Sequence, residues 1–204
     1  MKKRILIADD HVVVRTGTAL VLRLAYPTLT IDFSEKYEDV KESLRARHYD
    51  LILLDIDMPG TKYTEMIPEL KTIQNDLKIL IFTAYDQNIA LQYINKGAEG
   101  YLNKRGTEDD IKNAVKTILQ TGFYYPAELI PFIIRDIKET NKIKSLTPRE
   151  YQIFELLAKG NGNLEISNLL GLQINTISTF KKKVFEKLRI SNIVELVKIY
   201  QDLH

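Results

Sequence analysis

The feature that most constrains the fold of this chain is an unbroken apolar run, residues 51–54 (LILL), that ends in a carboxylate at Asp55. A run of this kind is typical of a strand covered on both faces, the usual state in a parallel sheet. Pro59 and Gly60 then favour a loop. Asp55 is therefore predicted at the carboxyl end of a central strand, which is the edge where open α/β sheets bind ligands. A single Asp there could equally cap the next segment, so the other strand ends decide between the two interpretations.

The other predicted strands bring reactive side chains to the same edge. The first strand ends at Asp9 and Asp10, the fourth ends at Thr83, and the fifth is followed closely by Lys104. Because parallel strands of one sheet share their carboxyl edge, these side chains are expected to lie near Asp55. Clustered carboxylates suit a hard divalent cation such as Mg²⁺. A lysine and a hydroxyl beside them suit a phosphoryl group.

The alternation of strands and helices predicts the fold of the first part of the chain. Strands expected at 3–8, 29–33, 51–54, 77–83 and 98–102 alternate with helices expected at 10–25, 37–47, 63–74, 86–96 and 107–121. Such a pattern implies a parallel sheet with helices on both faces, and a flavodoxin-like order, 2-1-3-4-5, is the natural candidate. The first helix carries one apolar stripe, which is predicted to be its buried face: Val13, Leu20, Val21 and Leu24.

These strand-end residues closely resemble the phosphorylation site of two-component receiver domains. The resemblance covers about residues 2–122, and it rests on Asp9, Asp10, Asp55, the segment 58–60 (MPG), Thr83 and Lys104. Two positions depart from the family pattern. Tyr63 stands where a glycine is common, and Arg105 follows the lysine where proline or an acid is common. These departures concern the loop after Asp55 and the local charge, and they leave the acidic site intact.

The resemblance implies a role for each residue of the site. Asp55 would accept a phosphoryl group from the phosphohistidine of a sensor histidine kinase. Thr83 and Lys104 would hold the phosphoryl oxygens, and Tyr101 would be the aromatic switch that rotates as Thr83 moves. The implied ligands of Mg²⁺ are Asp9, Asp10, Asp55 and the backbone carbonyl of Asp57. His11 is interpreted as a residue that starts the first helix rather than as a further metal ligand.

The remainder of the chain is predicted to be helical. Residues 123–144 are interpreted as a linker that contains a short helix at about 129–137. Thr147, Pro148 and Glu150 then form a capping-box pattern, which indicates the start of a helix. Three further helices are expected at 164–170, 175–188 and 193–203. An all-α domain of four helices is therefore predicted over residues 145–204.

The third of these helices has an apolar side and a basic side. Ile177, Phe180, Val184, Phe185 and Leu188 follow the helical period, whereas Lys182 and Lys183 point away from them. Lys181 is expected nearer the core side, with its charged end extended outward. A helix of this kind fits the DNA major groove. A lysine triplet alone would more simply be a solvated surface, so this prediction depends on the surrounding sequence.

That surrounding sequence resembles the LuxR/NarL-type helix-turn-helix. The resemblance covers about residues 145–204 and rests on 146–150 (LTPRE), Gly160, Asn163, 165–166 (EI), 170–172 (LGL), 176–177 (TI) and 186–188 (EKL). It implies base contacts from Ser178, Thr179 and Lys182. It implies phosphate contacts from Thr147, Asn163, Thr176, Lys181 and Lys183. Ser178 and Phe180 depart from the lysine and histidine common in the family, so a sequence preference does not transfer.

Composition sets the remaining expectations. The formal net charge of +2 and the absence of cysteine say little about partners but exclude disulfides and thiolate metal sites. With no apolar stretch near the roughly 20 residues of a membrane span, a cytoplasmic protein without membrane contact is expected. The implied partners are the kinase, double-stranded promoter DNA and a second copy of the chain, paired through the last helix in a phosphorylation-dependent homodimer. A contact with RNA polymerase is left open.

Two alternatives to a phosphorylation-controlled transcription regulator remain at this point. Asp55 and Asp57 after an apolar strand also resemble the start of haloacid-dehalogenase-type phosphatases. Those enzymes usually have Thr or Val where this chain has Pro59, and they leave the helical domain unexplained, so no enzymatic activity is expected. The other alternative is a DNA-binding regulator whose receiver is not phosphorylated. The intact set of acids, Thr83 and Lys104 argues against it, while Tyr63 keeps it open.

Overall fold

The computed structural model describes residues 3–203, apart from the side chains of Asp136, Lys138, Glu139, Thr140 and Asp202. The chain divides into two compact units, residues 1–132 and 133–204. The first unit contains the sheet, and the second is helical throughout its regular structure.

The sheet has the topology that the strand pattern predicts. Its five parallel strands lie in the order β2-β1-β3-β4-β5. They are β1 (Arg4–Ala8), β2 (Thr30–Ser34), β3 (Leu51–Leu54), β4 (Lys78–Thr83) and β5 (Gly100–Asn103). All four residues of β3 are fully buried, as expected for a central strand with both faces covered. The register pairs Ala8 with Leu54, so the residues that follow β1 and β3 emerge side by side.

Helices cover both faces of this sheet. They are α1 (Val12–Ala25), α2 (Tyr37–Ala46), α3 (Met66–Ile73), α4 (Gln87–Asn95) and α5 (Glu108–Thr121). On one face, Leu22 of α1 and Ile118 of α5 pack with alternate strand residues such as Leu53. Ile52 and Leu54, which point the other way, are also fully buried. The flavodoxin-like fold class is thereby confirmed, with the charged and hydroxyl side chains at one sheet edge.

The predicted buried face of α1 was wrong. Val13, Leu20 and Leu24 are among the exposed apolar side chains, and the helix buries Arg15, Thr18, Ala19 and Leu22 instead. The reason lies in Arg15, whose Nη1 donates a 2.5 Å hydrogen bond to the backbone oxygen of Asp9. Its Nη2 pairs with Glu35. A satisfied guanidinium can lie on a buried face, and apolar periodicity alone does not reveal it.

The chain passes very close to β5 after α5. The backbone nitrogen of Tyr101 donates to the oxygen of Tyr124 at 3.2 Å, and Gly100 bridges to the same residue. A Cβ on Gly100 would lie 2.7 Å from the backbone oxygen of Tyr124. Only glycine fits at this crossing without a shift of the backbone.

The helix in the predicted linker is longer than expected. It is α6 (Ile130–Lys144), preceded by a single 3₁₀ turn (Ala127–Leu129). Pro131 lies in the first turn of the helix, where proline is tolerated, and no glycine or proline follows before Lys144. The polar stretch that was interpreted as part of the linker is therefore helical as far as Lys144.

Four helices complete the second unit. They are α7 (Pro148–Ala158), α8 (Asn163–Leu170), α9 (Ile174–Leu188) and α10 (Ile193–Leu203). The capping box predicted at Thr147 is present, because the Thr147 side chain accepts from the Glu150 backbone and the Glu150 side chain accepts from that of Thr147. Glu150 Oε2 also lies 2.5 Å from Lys187 Nζ, which ties α7 to α9. The apolar sides of α7, α8, α9 and α10 form one core that includes Phe154 and Val184.

Candidate functional site

The sheet edge predicted to carry the site brings two acids and one lysine together. Asp9 and Asp55 are buried at the ends of β1 and β3. Lys104 Nζ lies 2.6 Å from Asp9 Oδ2 and 2.8 Å from Asp55 Oδ2. The single ammonium charge of Lys104 does not balance two buried carboxylates, so the pocket has a net negative charge. Further positive charge, or protonation of a carboxylate, would neutralise it.

The electrostatics of this pocket reflect its burial. Burial raises the pKa of the Asp55 carboxyl, and the neighbouring Lys104 offsets this in part. For Lys104 burial opposes the charged form, but the hydrogen bonds and charges of Asp55 and Asp9 raise the pKa of the ammonium above its ordinary value. Asp9 Oδ2 is buried, and its charged partner is Lys104 Nζ at 2.6 Å. Carboxylate oxygens are the ligands that a small divalent cation prefers, so the donor set fits one.

Asp10 and Asp57, also expected to be ligands, lie at the mouth of the pocket. Asp10 is exposed, and its Oδ1 is 2.7 Å from Nδ1 of His11. Asp57 is exposed too, and its backbone nitrogen lies 3.4 Å from Asp55 Oδ1. Asp9, Asp10, His11 and Asp55 each present one ligand atom, and these atoms all lie within 4.8 Å of one another. His11 lies directly before α1, as the interpretation as a helix-start residue expects, and its ring also borders this cluster.

Thr83 and Tyr101 lie on the next two strands of the sheet after β3. Both side chains are buried, Thr83 at the end of β4 and Tyr101 in β5. The Tyr101 hydroxyl donates to the backbone oxygen of Tyr85 at 2.8 Å. Asn103 donates to the same oxygen at 3.1 Å. The predicted switch aromatic is thus already turned inward in this structure, held by the β4–α4 loop.

Tyr85 is a second residue that sequence reasoning missed. Its hydroxyl donates to Asp57 Oδ2 at 3.1 Å, which joins the loop after β4 to the loop after β3. The pKa of the Tyr85 hydroxyl is raised, chiefly by this hydrogen bond and then by the negative charge of Asp57. A tyrosine two residues beyond a strand end carries no sequence signal for such a bridge.

Tyr63, the departure from the receiver pattern, sits in an unusual backbone conformation. Its φ is +49°, and its side chain is largely exposed. This left-handed region favours glycine, and an L residue there costs about 1–2 kcal/mol. Glycine adopts this conformation without such a cost, which fits the glycine that is common at this position in the family.

In the second unit, α9 presents a basic face. Lys182 is 79% exposed, whereas Ile177 and Val184 on the opposite side are fully buried. Lys181 lies with its Nζ 5.6 Å from the Phe185 ring, and Lys183 lies 5.9 Å from the Phe180 ring. The two flanking lysines thus place their ammonium groups over aromatic rings, on either side of the central Lys182.

The other predicted contact residues border the same face or cap a helix. Asn163 Nδ2 donates to Ser178 Oγ at 3.2 Å, which links the start of α8 to α9. Thr179 is exposed one residue further on. Thr176 lies in the first turn of α9, where backbone N–H groups favour an anion. Thr147 caps α7 and belongs to a different helix start. The predicted contact residues Asn163, Thr176, Ser178 and Thr179 thus lie on α8 and α9. Thr147 instead lies at the start of α7.

A doubly wound sheet with this acidic pocket, followed by a helix-turn-helix unit with a basic helix, defines the class of two-domain response regulators. Comparison with known families agrees. The family "Response regulator receiver domain" matches residues 5–116, and "Bacterial regulatory proteins, luxR family" matches residues 144–200. The chain belongs to the response regulators that join a receiver domain to a LuxR-type DNA-binding domain.

Individual relatives extend over nearly the whole chain. The Fimbriae Z protein of Salmonella typhimurium is 33% identical over 95% of this chain and 93% of its own length. The oxygen regulatory protein NreC of Staphylococcus carnosus is 29% identical over 95% of this chain and 94% of its own length. The family therefore includes both domains in the order found here.

Solved structures share the fold. The RcsB response regulator of Salmonella typhimurium matches with a TM-score of 0.71 at 24% identity, covering 98% of this chain and 99% of the other. A structure of two RcsB dimers bound to two parallel DNAs matches with a TM-score of 0.58 at 25% identity over all of both chains.

None of the helices in the part of the chain that the structure describes combines the length and apolar composition needed to cross a bilayer.

Proposed function

We propose that this protein is a phosphorylation-controlled transcription regulator, with Asp55 as the phosphoacceptor and α9 as the DNA-reading helix. The observation that carries the proposal is the placement of Lys104 between the buried carboxylates of Asp9 and Asp55, at the edge of a receiver sheet. The chemical role of this arrangement is phosphoryl acceptance rather than turnover, so we expect no enzymatic activity towards an independent substrate.

The chemistry follows from the positions of the side chains. A carboxylate oxygen of Asp55 attacks the phosphorus of a sensor kinase's phosphohistidine whose other ring nitrogen is protonated, so the P–N bond breaks and neutral imidazole leaves. Lys104 and the Thr83 hydroxyl hold the oxygens of the transferred group. Asp9, Asp10, Asp55 and the carbonyl of Asp57 would hold Mg²⁺, which would neutralise part of the phosphoryl charge. Tyr101 then packs against the shifted Thr83 as the switch.

The remaining parts of the proposal concern organisation and partners. We assign residues 1–122 to the receiver, 123–144 to a linker and 145–204 to the DNA-binding domain. Two copies pair through α10 on promoter DNA, and support for a dimer on DNA comes from the similar RcsB structure, which holds two dimers bound to two DNAs. The site of action is the cytoplasm, without membrane contact. A contact with RNA polymerase is left open.

Phosphorylation should promote this dimer. The unphosphorylated protein is expected to sediment mainly as a monomer, and the protein treated with acetyl phosphate and Mg²⁺ mainly as a dimer, because helix-turn-helix regulators read paired half-sites. Analytical ultracentrifugation at matched concentrations measures the two states. Asp57→Asn, which alters a neighbouring acid without removing the acceptor, should still dimerise. Equal mass in both states would favour the regulator whose receiver is not phosphorylated.

The lysines of α9 should differ in what they contribute. Lys182 points away from the core, so Lys182→Ala should cost about 1–3 kcal/mol on the preferred operator and much less on scrambled DNA. Lys183→Ala should weaken both duplexes and reduce the slope of log affinity against log salt by roughly 0.9. Binding titrations at several salt concentrations measure both effects.

The control for this experiment is Lys36→Ala, which removes an exposed lysine from the receiver. It should leave both duplexes unaffected. If Lys182→Ala weakens operator and scrambled DNA equally, Lys182 is a phosphate anchor. Sequence readout would then rest on Ser178, Thr179 or DNA shape.

A further inference from the structure

Three exposed polar side chains lie in line along α9, on the side away from the core. They are Asn175, Thr179 and Lys182, separated by four residues and then by three. Because a helix turns by about 100° per residue, this spacing keeps them on one face. Val184, nine residues after Asn175, points the opposite way and is fully buried. Asn175 therefore shares the face on which Lys182 is expected to contact bases.

The base contacts assigned so far lack a group that both donates and accepts. The Ser178 hydroxyl donates to the backbone oxygen of Ile174 at 3.1 Å. The Thr179 hydroxyl donates to the backbone oxygen of Asn175 at 2.9 Å. Both hydroxyls thus give their proton to α9 itself and can only accept from DNA, whereas the ammonium of Lys182 can only donate.

The side-chain amide of Asn175 has no structural task in α9. It takes part in no hydrogen bond among the residues that the structure describes, and the helix has Gln173 as its N-cap residue, without a side-chain cap. Asparagine is a poorer helix former than alanine, so helix stability does not account for it at this exposed position. Its oxygen and its NH₂ group remain available to a partner of the helix.

We propose that the amide of Asn175 reads an adenine in the major groove, as a base contact that the family resemblance does not assign. The inference deepens the proposed function and rests on it, since α9 is there the DNA-reading helix. Adenine presents an N7 acceptor and an N6 donor at its major-groove edge, and an asparagine amide pairs with both.

The position of Asn175 along α9 suits this role. It lies in the first turn, and the N-terminal residues of a recognition helix are those that contact base edges. Asn175 and Lys182 are about 10 Å apart along the helix axis, which corresponds to about three base pairs. The two side chains therefore address different base pairs of one half-site.

The first test selects duplexes from a randomised pool with the full chain, treated with acetyl phosphate and Mg²⁺. Wild type should enrich one adenine in each half-site that Asn175→Ala no longer prefers, while the rest of the selected sequence stays the same. The matched control is Asn168→Ala, which removes an exposed amide from the neighbouring α8. It should select the same sequence as wild type.

The second test measures affinity for the selected duplex and for a copy in which that adenine is 7-deazaadenine, which lacks the N7 acceptor. Wild type and Asn168→Ala should bind the modified duplex about threefold more weakly, or weaker still, because one hydrogen bond is lost. Asn175→Ala should bind both duplexes equally, and the unmodified one at least about fivefold more weakly than wild type does.

An adenine preference that persists in Asn175→Ala, a selected sequence without such an adenine, or a wild-type affinity that 7-deazaadenine leaves unchanged would overturn the role of Asn175. Each of these results leaves α9 as the DNA-reading helix. A wild-type protein that selects no sequence at all would overturn the DNA reading of the proposed function together with this inference. The selection with wild type thus distinguishes the two failures.

Discussion

Replacing Asp55 by Asn should abolish covalent phosphorylation. Wild-type protein incubated with acetyl phosphate and Mg²⁺ is expected to gain the mass of one phosphoryl group, because Asp55 is the buried acid at the end of β3 that Lys104 contacts. Asp55→Asn should show no gain, since the amide is not a nucleophile of comparable strength. Intact-mass spectrometry measures both.

The control for this variant is Asp57→Asn, which changes an exposed acid two residues away. It should still take up one phosphoryl group, and removal of Mg²⁺ by a chelator should prevent the gain in every sample. A mass gain that persists in Asp55→Asn would move the acceptor to another residue. Asp9 and Asp10 would be the next candidates.

Replacing Lys104 by Met should destabilise the receiver by about 3–5 kcal/mol, because two buried carboxylates lose the cation between them. Mg²⁺ should stabilise the variant more than wild type, since the metal no longer competes with an ammonium group for the same oxygens. Hydrogen exchange of the β3 amides in the intact chain reports the opening free energy of the receiver alone.

Lys96→Met provides the comparison for Lys104→Met. Lys96 lies on the receiver surface, 2.9 Å from Glu65, with both side chains exposed. A surface pair of this kind contributes at most about 1 kcal/mol, so the β3 amides should be nearly unaffected. If both variants change the opening free energy by a small and equal amount, Lys104 does not stabilise the buried carboxylates of Asp9 and Asp55.

The acidic site was predictable because it depends on strand ends. A buried run such as residues 51–54, once it lies in a parallel sheet, fixes where Asp55 must emerge. The same argument predicts Asp9, Thr83 and Lys104 at that sheet edge. The roles assigned to these residues remain predictions until the variants are measured.

The failures arose where a side chain's surroundings come from distant parts of the chain. The buried face of α1 was predicted wrongly because Arg15 is satisfied by Asp9 and Glu35, which only the folded sheet brings near. The contact of Tyr85 with Asp57 has a similar origin, because it joins two loops that only the folded sheet brings together. Periodicity describes one helix or strand at a time, so it does not detect such contacts.

The central claim is that phosphorylation of Asp55 controls DNA binding by the second unit. The most direct test measures operator affinity of wild type and Asp55→Asn, each with and without a small phosphodonor, at one salt concentration. The account predicts that the phosphodonor tightens binding of wild type at least about tenfold, near 1.4 kcal/mol, and leaves Asp55→Asn unchanged. Equal affinity of wild type in both conditions, or an equal gain in Asp55→Asn, would contradict it.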